Sequence, residues 1–228
     1  MKTFTQESRR LILITLAALF VIGGCSDSGD TSPGNLEAVY MSSTAGTDLT
    51  GTLVLESAKI LIKDIKLNVA NSEESTNFKT GPYVLFLNLN SSMNTIGSGY
   101  IPAGTYDKIQ FEIHKPSDGE LVPDPEFSDG SLKYSVIVRG TYNGSPFIYK
   151  SDKSAKQKLH LTNALIVTEF GSNVTLQVSP YLWFIDSNGQ YMNPSDANNS
   201  EEIDNNLKDN IKASFKACKD NDKDGIPD

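Results

Sequence analysis

Between residues 36 and 192 apolar side chains recur at every second position, and no segment of that stretch repeats at helical spacing. Period two is the mark of strands with one face buried and one in water. Ile109, Phe111 and Ile113 alternate with Lys108, Gln110, Glu112 and His114, and Leu159 and Leu161 with Lys158, His160 and Thr162. Leu132, Tyr134, Val136 and Val138 share one face, as do Val174, Leu176 and Val178. From Lys59 to Val69 the parity switches: Ile60 and Ile62 have one phase, Ile65, Leu67 and Val69 the other. A β-bulge at Lys63-Asp64 would keep both sets on the core side. The run from Tyr83 to Leu89 is apolar at nearly every position, which predicts a central strand covered on both faces.

Turn residues separate these runs. Asn143-Gly144 and Asn188-Gly189 predict tight hairpin turns, and Asp118-Gly119, Asp129-Gly130 and Pro102-Ala103-Gly104 punctuate elsewhere. Many short strands without intervening helical patterns predict an antiparallel β-sandwich, with one α-helix to follow at the C-terminus. The segment from Pro116 to Asp129 carries three prolines and five carboxylates and reads as an exposed excursion.

At 228 residues the chain can bury a sizeable core. Its formal charge of −8 argues against a nucleic-acid partner, whose phosphates call for a basic patch. Two cysteines cannot build a disulfide framework, and two histidines do not suit a multi-histidine metal centre.

The N-terminus reads as a delivery signal. Lys2, Arg9 and Arg10 precede an apolar run from Leu11 to Ile22, and Gly23, Gly24 and Cys25 close it. The run is shorter than the roughly 20 residues that span a bilayer, so a signal peptide over residues 1–24 fits better than a permanent anchor. Ile22-Gly23-Gly24-Cys25 resembles a bacterial lipobox. The resemblance implies diacylglyceryl transfer to the Cys25 thiol and a membrane attachment made by acyl chains. Removal of residues 1–24 takes away Lys2, Arg9, Arg10 and Glu7, so the net charge of −8 becomes −10. Anionic head groups repel such a surface. Ser26 resembles an outer-membrane sorting residue, and Ser26-Asp27-Ser28-Gly29-Asp30 resembles a surface-export signal, so the expected location is the bacterial envelope, at the outer membrane. Residues 25–35 are polar, contain Gly and Pro, and read as a flexible tether.

Three features taken together, the lipobox, the β-rich body over 36–195 and the segment from Ile101 to Ile113 (IPAGTYDKIQFEI), resemble a group of bacterial lipoproteins with an Ig- or transthyretin-like β-sandwich domain of unassigned function. The likeness spans about residues 50–185. It implies a fold and a location and brings no catalytic residue.

In the C-terminal segment, 196–228, Ile203, Leu207, Ile211, Phe215 and Cys218 recur at three to four residues and predict a helix over about 200–218. Glu201, Glu202 and Asp204 sit at its start and Lys212, Lys216 and Lys219 at its end, matching the helix dipole. Asp204 and Lys208 are spaced to pair. The tail Asp220-Asn221-Asp222-Lys223-Asp224-Gly225-Ile226-Pro227-Asp228 follows. Carboxylates at alternate positions before a glycine bring hard oxygens around one point, as calcium requires. The tail resembles the first nine positions of an EF-hand loop and, more closely, thrombospondin type 3 repeats. That resemblance implies side-chain ligands from Asp220, Asp222 and Asp224, a backbone carbonyl from Ile226, and a direct or water-mediated oxygen from Asp228. An EF-hand's twelfth-position glutamate has no counterpart here, so weak affinity is expected, on the order of 10⁻⁴–10⁻³ M.

Other constellations point in different directions. Tyr181, Trp183, Phe184 and Tyr191 form the densest aromatic cluster, either core or a stacking platform for a carbohydrate. Glu120, Asp124, Glu126 and Asp129 could supply two carboxylates for a hydrolase. His114 and His160 fall on the polar faces of their strands, and Cys218 reads as a small apolar residue. The expected function is a non-enzymatic, lipid-anchored envelope protein with a structural or binding role and a weak calcium site. A surface module recognising a glycan or an envelope protein is the alternative, and a carboxylate-dependent hydrolase a third reading.

Overall fold

A computed structural model describes residues 34–87, 89, 92–208 and 214–228. The lipobox, Cys25 and all of the tether before Gly34 lie outside the described residues, as does Ile211 of the expected helical stripe.

The protein is mainly β with one α-helix. The strands are β1 (Leu36–Ser42), β2 (Leu53–Val69), β3 (Ser75–Leu87), β4 (Asn94–Gly99), β5 (Gly104–Ile113), the short pair β6 (Ser128–Asp129) and β7 (Leu132–Lys133), β8 (Val136–Tyr142), β9 (Ser145–Ser151), β10 (Ala155–Val167), β11 (Asn173–Val178) and β12 (Phe215–Lys219). The helix α1 (Ser200–Lys208) lies between β11 and β12. Ten strands form one sheet in the order β4-β1-β11-β12-β10-β5-β2-β8-β9, with β3 added on β2. Neither β1–β11 nor β10–β12 is antiparallel, so the sheet is mixed where short strands without intervening helical patterns predict an antiparallel one. Period two reports which face a strand buries and carries no information about the direction of its neighbour.

The long strand β2 organises the sheet. At Leu61 the backbone N–H donates to Ser135 O at 2.8 Å, and the carbonyl accepts from His114 N at 2.9 Å. The N–H and C=O of one strand residue face the same edge, so Leu61 is a fork. Before it β8 pairs with β2, and beyond it β5 does. The opposite edge of β2 carries β3. Both the β3 and β5 ladders slip in register beside Ile62, where the parity switch calls for a bulge. Ile60, Ile62, Ile65 and Leu67 are all buried as a result.

The sheet curls until its first strands meet β3. The Tyr40 hydroxyl on β1 donates to Phe86 O and accepts from Phe86 N, both at 3.2 Å, and Lys79 donates to Ile96 O on β4. Among the described residues β3 pairs with β2 alone, and the expectation of a central strand over Tyr83–Leu89 is corrected. Its apolar run has another cause. Leu85 and Leu87 face the main core, while Val84 packs on a second small core of Leu61, Phe127 and Ile137 across the sheet.

Asn143 and Gly144 both have positive φ, 49° and 76°, and close the β8–β9 hairpin as the sequence predicts. Asn188-Gly189 closes only a single bridge, Ile185 to Tyr191, because Pro180–Phe184 just before it winds into a 3₁₀ turn. That turn buries Trp183 and Phe184. Trp183 stacks on Phe215 and Phe215 tilts against Phe111, while Phe184 meets Phe147 and Tyr149.

The helix expected over 200–218 is also corrected. Among the described residues α1 covers Ser200–Lys208, and Phe215–Lys219 is strand β12, seated between β11 and β10. A sheet gap there would leave backbone groups of both neighbours without partners, a cost that outweighs local helical spacing. The Asp204 carboxylate accepts from Tyr149 Oη at 2.8 Å and Ser151 Oγ at 2.7 Å, fixing α1 on β9. No helix among the described residues is long and apolar enough to cross a membrane.

Candidate metal centre

Strand β12 delivers the acidic tail onto β11. Asp220 N donates to Asn173 O at 3.2 Å, and Asn173 Nδ2 donates to Asp220 O at 2.6 Å, so the first residue of β11 clasps the first residue of the tail. The Asp220 side chain is fully buried. Its Oδ2 accepts from Thr175 Oγ1 at 2.6 Å and Gly225 N at 3.0 Å, and its Oδ1 accepts from Asp224 N at 3.1 Å. Three donors around one carboxylate offset its desolvation. Lys223 and Gly225 supply the positive φ values, 59° and 84°, that turn the chain back over Asp220. Outside the turn, Lys223 Nζ pairs with Glu37 at 2.6 Å, and Gln177 donates to Gly225 O.

One carboxylate oxygen from each of Asp220, Asp222 and Asp224 lies within 4.8 Å of the other two. Calcium–oxygen bonds of about 2.3–2.6 Å put ligand oxygens on a sphere of that scale, so the three fit one hard cation. Partial desolvation and the charge of Asp224 push the Asp222 carboxyl above its ordinary value. Such crowding of like charge is what a divalent ion relieves.

Of the four expected carboxylates the structure gathers three. Asp228 is engaged elsewhere: its Oδ2 accepts from Asn221 N at 2.8 Å and lies 3.4 Å from Lys219 Nζ. The Ile226 N–H donates to Asp224 Oδ1 at 2.7 Å, and its side chain is exposed. The pattern of alternate aspartates does not reveal that Asp220 is also the buried hub of the loop, nor that Thr175 is its partner. The polar parity of β11, Asn173, Thr175 and Gln177 opposite the apolar Val174, Leu176 and Val178, is the only signal for that, and it is weak.

The remaining candidates have structural partners. Trp183 and Phe184 are fully buried with their rings packed on Phe215, Phe147 and Tyr149, and Trp183 Nε1 donates to Ser214 Oγ at 3.0 Å. Tyr181 Oη accepts from Leu55 N at 3.1 Å, and Tyr191 Oη donates to Gly46 O at 3.0 Å. Trp183 and Phe184 are thus core rings that a sugar cannot reach, while Tyr181 and Tyr191 are half-buried at the rim of that core.

The segment 116–129 is no free excursion either. Phe127 is fully buried, Lys59 Nζ holds Asp124 at 2.6 Å and Glu126 at 2.8 Å, and Arg139 holds Glu126 at 2.8 Å. Hydrogen bonds from Lys59 and Arg139 keep Glu126 below its ordinary pKa. Asp124 also lies low: burial raises it, and the hydrogen bonds from Lys59 and Glu126 N with the charges of Lys59 and Arg139 together outweigh that. A hydrolytic acid needs a raised value, so these two carboxyls suit an ion-pair knot. Glu120 accepts from His114 Nε2 at 2.8 and 3.0 Å, and Asp129 is exposed on β6. His114 is buried, one residue past the end of β5, where the chain has left the polar face; His160 is exposed as expected. Burial, with nearby carboxylates, pushes the Cys218 thiol up to about 11.

Comparison with protein-family models, curated proteins and solved structures finds no match to this chain.

Proposed function

We propose that this chain is a lipid-anchored protein of the bacterial envelope, non-enzymatic, with a structural or binding role and a C-terminal loop that takes a calcium ion weakly. The observation that carries the reading is the cluster of Asp220, Asp222 and Asp224 oxygens, folded over β11 by a buried carboxylate. The ion would draw Asp222 and Asp224 onto Asp220 and tie the chain after β12 to the sheet. The lipobox at Cys25 supports the envelope location. The fork at Leu61, which sends β8–β9 and β5–β10 off as separate limbs, supports describing the curled sheet as a sandwich of the Ig or transthyretin kind.

The test is a melting curve of the chain in millimolar calcium and in chelator. With a dissociation constant near 1 mM, 10 mM calcium adds about 1.4 kcal/mol, or a few degrees. Asp222→Asn with Asp224→Asn, both exposed side chains, should abolish the shift and leave the chelated protein folded. Coincident curves with and without calcium overturn the metal reading. The anchor is tested by palmitate labelling against Cys25→Ala.

A further inference from the structure

One end of the sheet gathers the features that a membrane-facing surface needs. Asn35 lies ten residue steps after Cys25, a span of at most about 35 Å when fully extended. Asn35 is buried and pinned. It exchanges two hydrogen bonds with the Ile101 backbone, at 2.8 and 2.9 Å, and its carbonyl accepts from Ser172 N at 3.0 Å. Beside these partners stand the two most exposed large aromatic side chains among the described residues. Tyr100 precedes Ile101 and is 74% exposed, and Phe170, two residues before Ser172, is 88% exposed. Ile166, 59% exposed and paired with Thr105, flanks them on β10. The stretch from Gly99 to Thr105 holds no charged residue.

We propose that this end of the domain seats in the lipid interface, with Phe170 and Tyr100 inserted and Ile166 at the margin. The proposal rests on the lipid-anchor reading and deepens it. Two aromatic rings and an isoleucine bind a bilayer weakly on their own, but a tether of this length holds them at millimolar effective concentration, where weak contacts are occupied. A tyrosine at the interface buries its ring and keeps its hydroxyl among the head groups. The charges at this end choose the lipid. Glu74 and Glu169 are exposed there, while Glu73 lies 3.5 Å from Lys158 Nζ and Glu37 is paired with Lys223, so the surface suits a zwitterionic bilayer and is repelled by an anionic one.

The test places an environment-sensitive fluorophore on the full, lipidated chain in phosphatidylcholine vesicles through Phe170→Cys, Tyr100→Cys or Leu121→Cys, with palmitate incorporation read on each preparation. Leu121 is 90% exposed and follows the far end of β5, so it reports the opposite side of the domain. The expected result is blue-shifted emission at 170 and 100, quenched by nitroxide-labelled lipid, with water-like emission at 121. Palmitate-labelled, vesicle-bound protein with water-like emission at 170 and 100 overturns the seating and leaves the anchor standing. A blue shift that nitroxide lipid does not quench gives the patch to a protein and likewise overturns it. Absence of palmitate overturns the anchor, and the seating falls with it.

Discussion

The carboxylate of Asp220 and the hydroxyl of Thr175 meet at 2.6 Å in the interior, joining the acidic tail to the middle of β11. Replacing the hydroxyl by a methyl group keeps the shape and leaves a buried charge one donor short. Thr175→Val should therefore cost about 1–3 kcal/mol. Urea titration in chelator reads this directly, and an unchanged midpoint would show that Asp220 does not depend on the sheet.

Gly140 shows how closely β8 and β2 approach. A Cβ placed there would lie 2.1 Å from Val54 O, beside the register shift between Leu55 and Ser57. The obstacle is backbone, which cannot rotate aside as a side chain would. Gly140→Ala should destabilise by about 1–3 kcal/mol or more, the range of overpacked cores. Gly104→Ala, whose nearest neighbour would be Tyr106 at 3.9 Å, should stay within about 0.5 kcal/mol. Equal melting temperatures for the two variants would contradict the tight β2–β8 contact.

What could be read in advance divides along physical lines. Face and register are local properties, so Ile60, Ile62, Ile65 and Leu67 announce both strand and bulge, and Asn143-Gly144 announces its hairpin. Partner and direction are not local. Phe215, Ala217 and Cys218 fit a helix stripe or a strand equally well over five residues, and the open gap between β10 and β11 decides the matter. The tail behaves likewise: alternate aspartates are legible, but that Asp220 points inward and Asp228 turns to Asn221 and Lys219 depends on β11 and β12 beneath them. Lys59 is a further case. As one polar position on β2 it gives no hint that it will gather two carboxylates from residues 124 and 126.

That gathering makes stability depend on pH. Hydrogen bonds from Lys59 and Arg139 hold the Glu126 carboxyl below its ordinary value. A depressed folded value means the pairing contributes fully above the ordinary glutamate pKa, about 4.3, and its contribution is lost as pH falls through the lower folded one. The Glu126 side chain is 39% exposed, so the whole knot is worth on the order of 1 kcal/mol. Lys59→Met should lower the urea midpoint at pH 7 and shrink the difference between pH 7 and pH 3. A variant that keeps the parent's acid sensitivity in full would remove this knot as its source.

Cys218 offers a chemical readout of the same architecture. Its side chain is buried on β12, and burial with the nearby charges of Asp220, Asp228 and Asp224 pushes the thiol up to about 11. At pH 8 only a small fraction is thiolate, the reactive form, and that fraction is shielded. Thiol reagents should therefore label position 218 only as fast as the β11–β12 pairing opens. Thr175→Val, which loosens the tail over that pairing, should speed the labelling. Asp222→Asn lies on the exposed side of the loop, so in chelator it should leave the rate unchanged. Fast labelling of the native parent at pH 8 would mean that β12 is not held between β10 and β11.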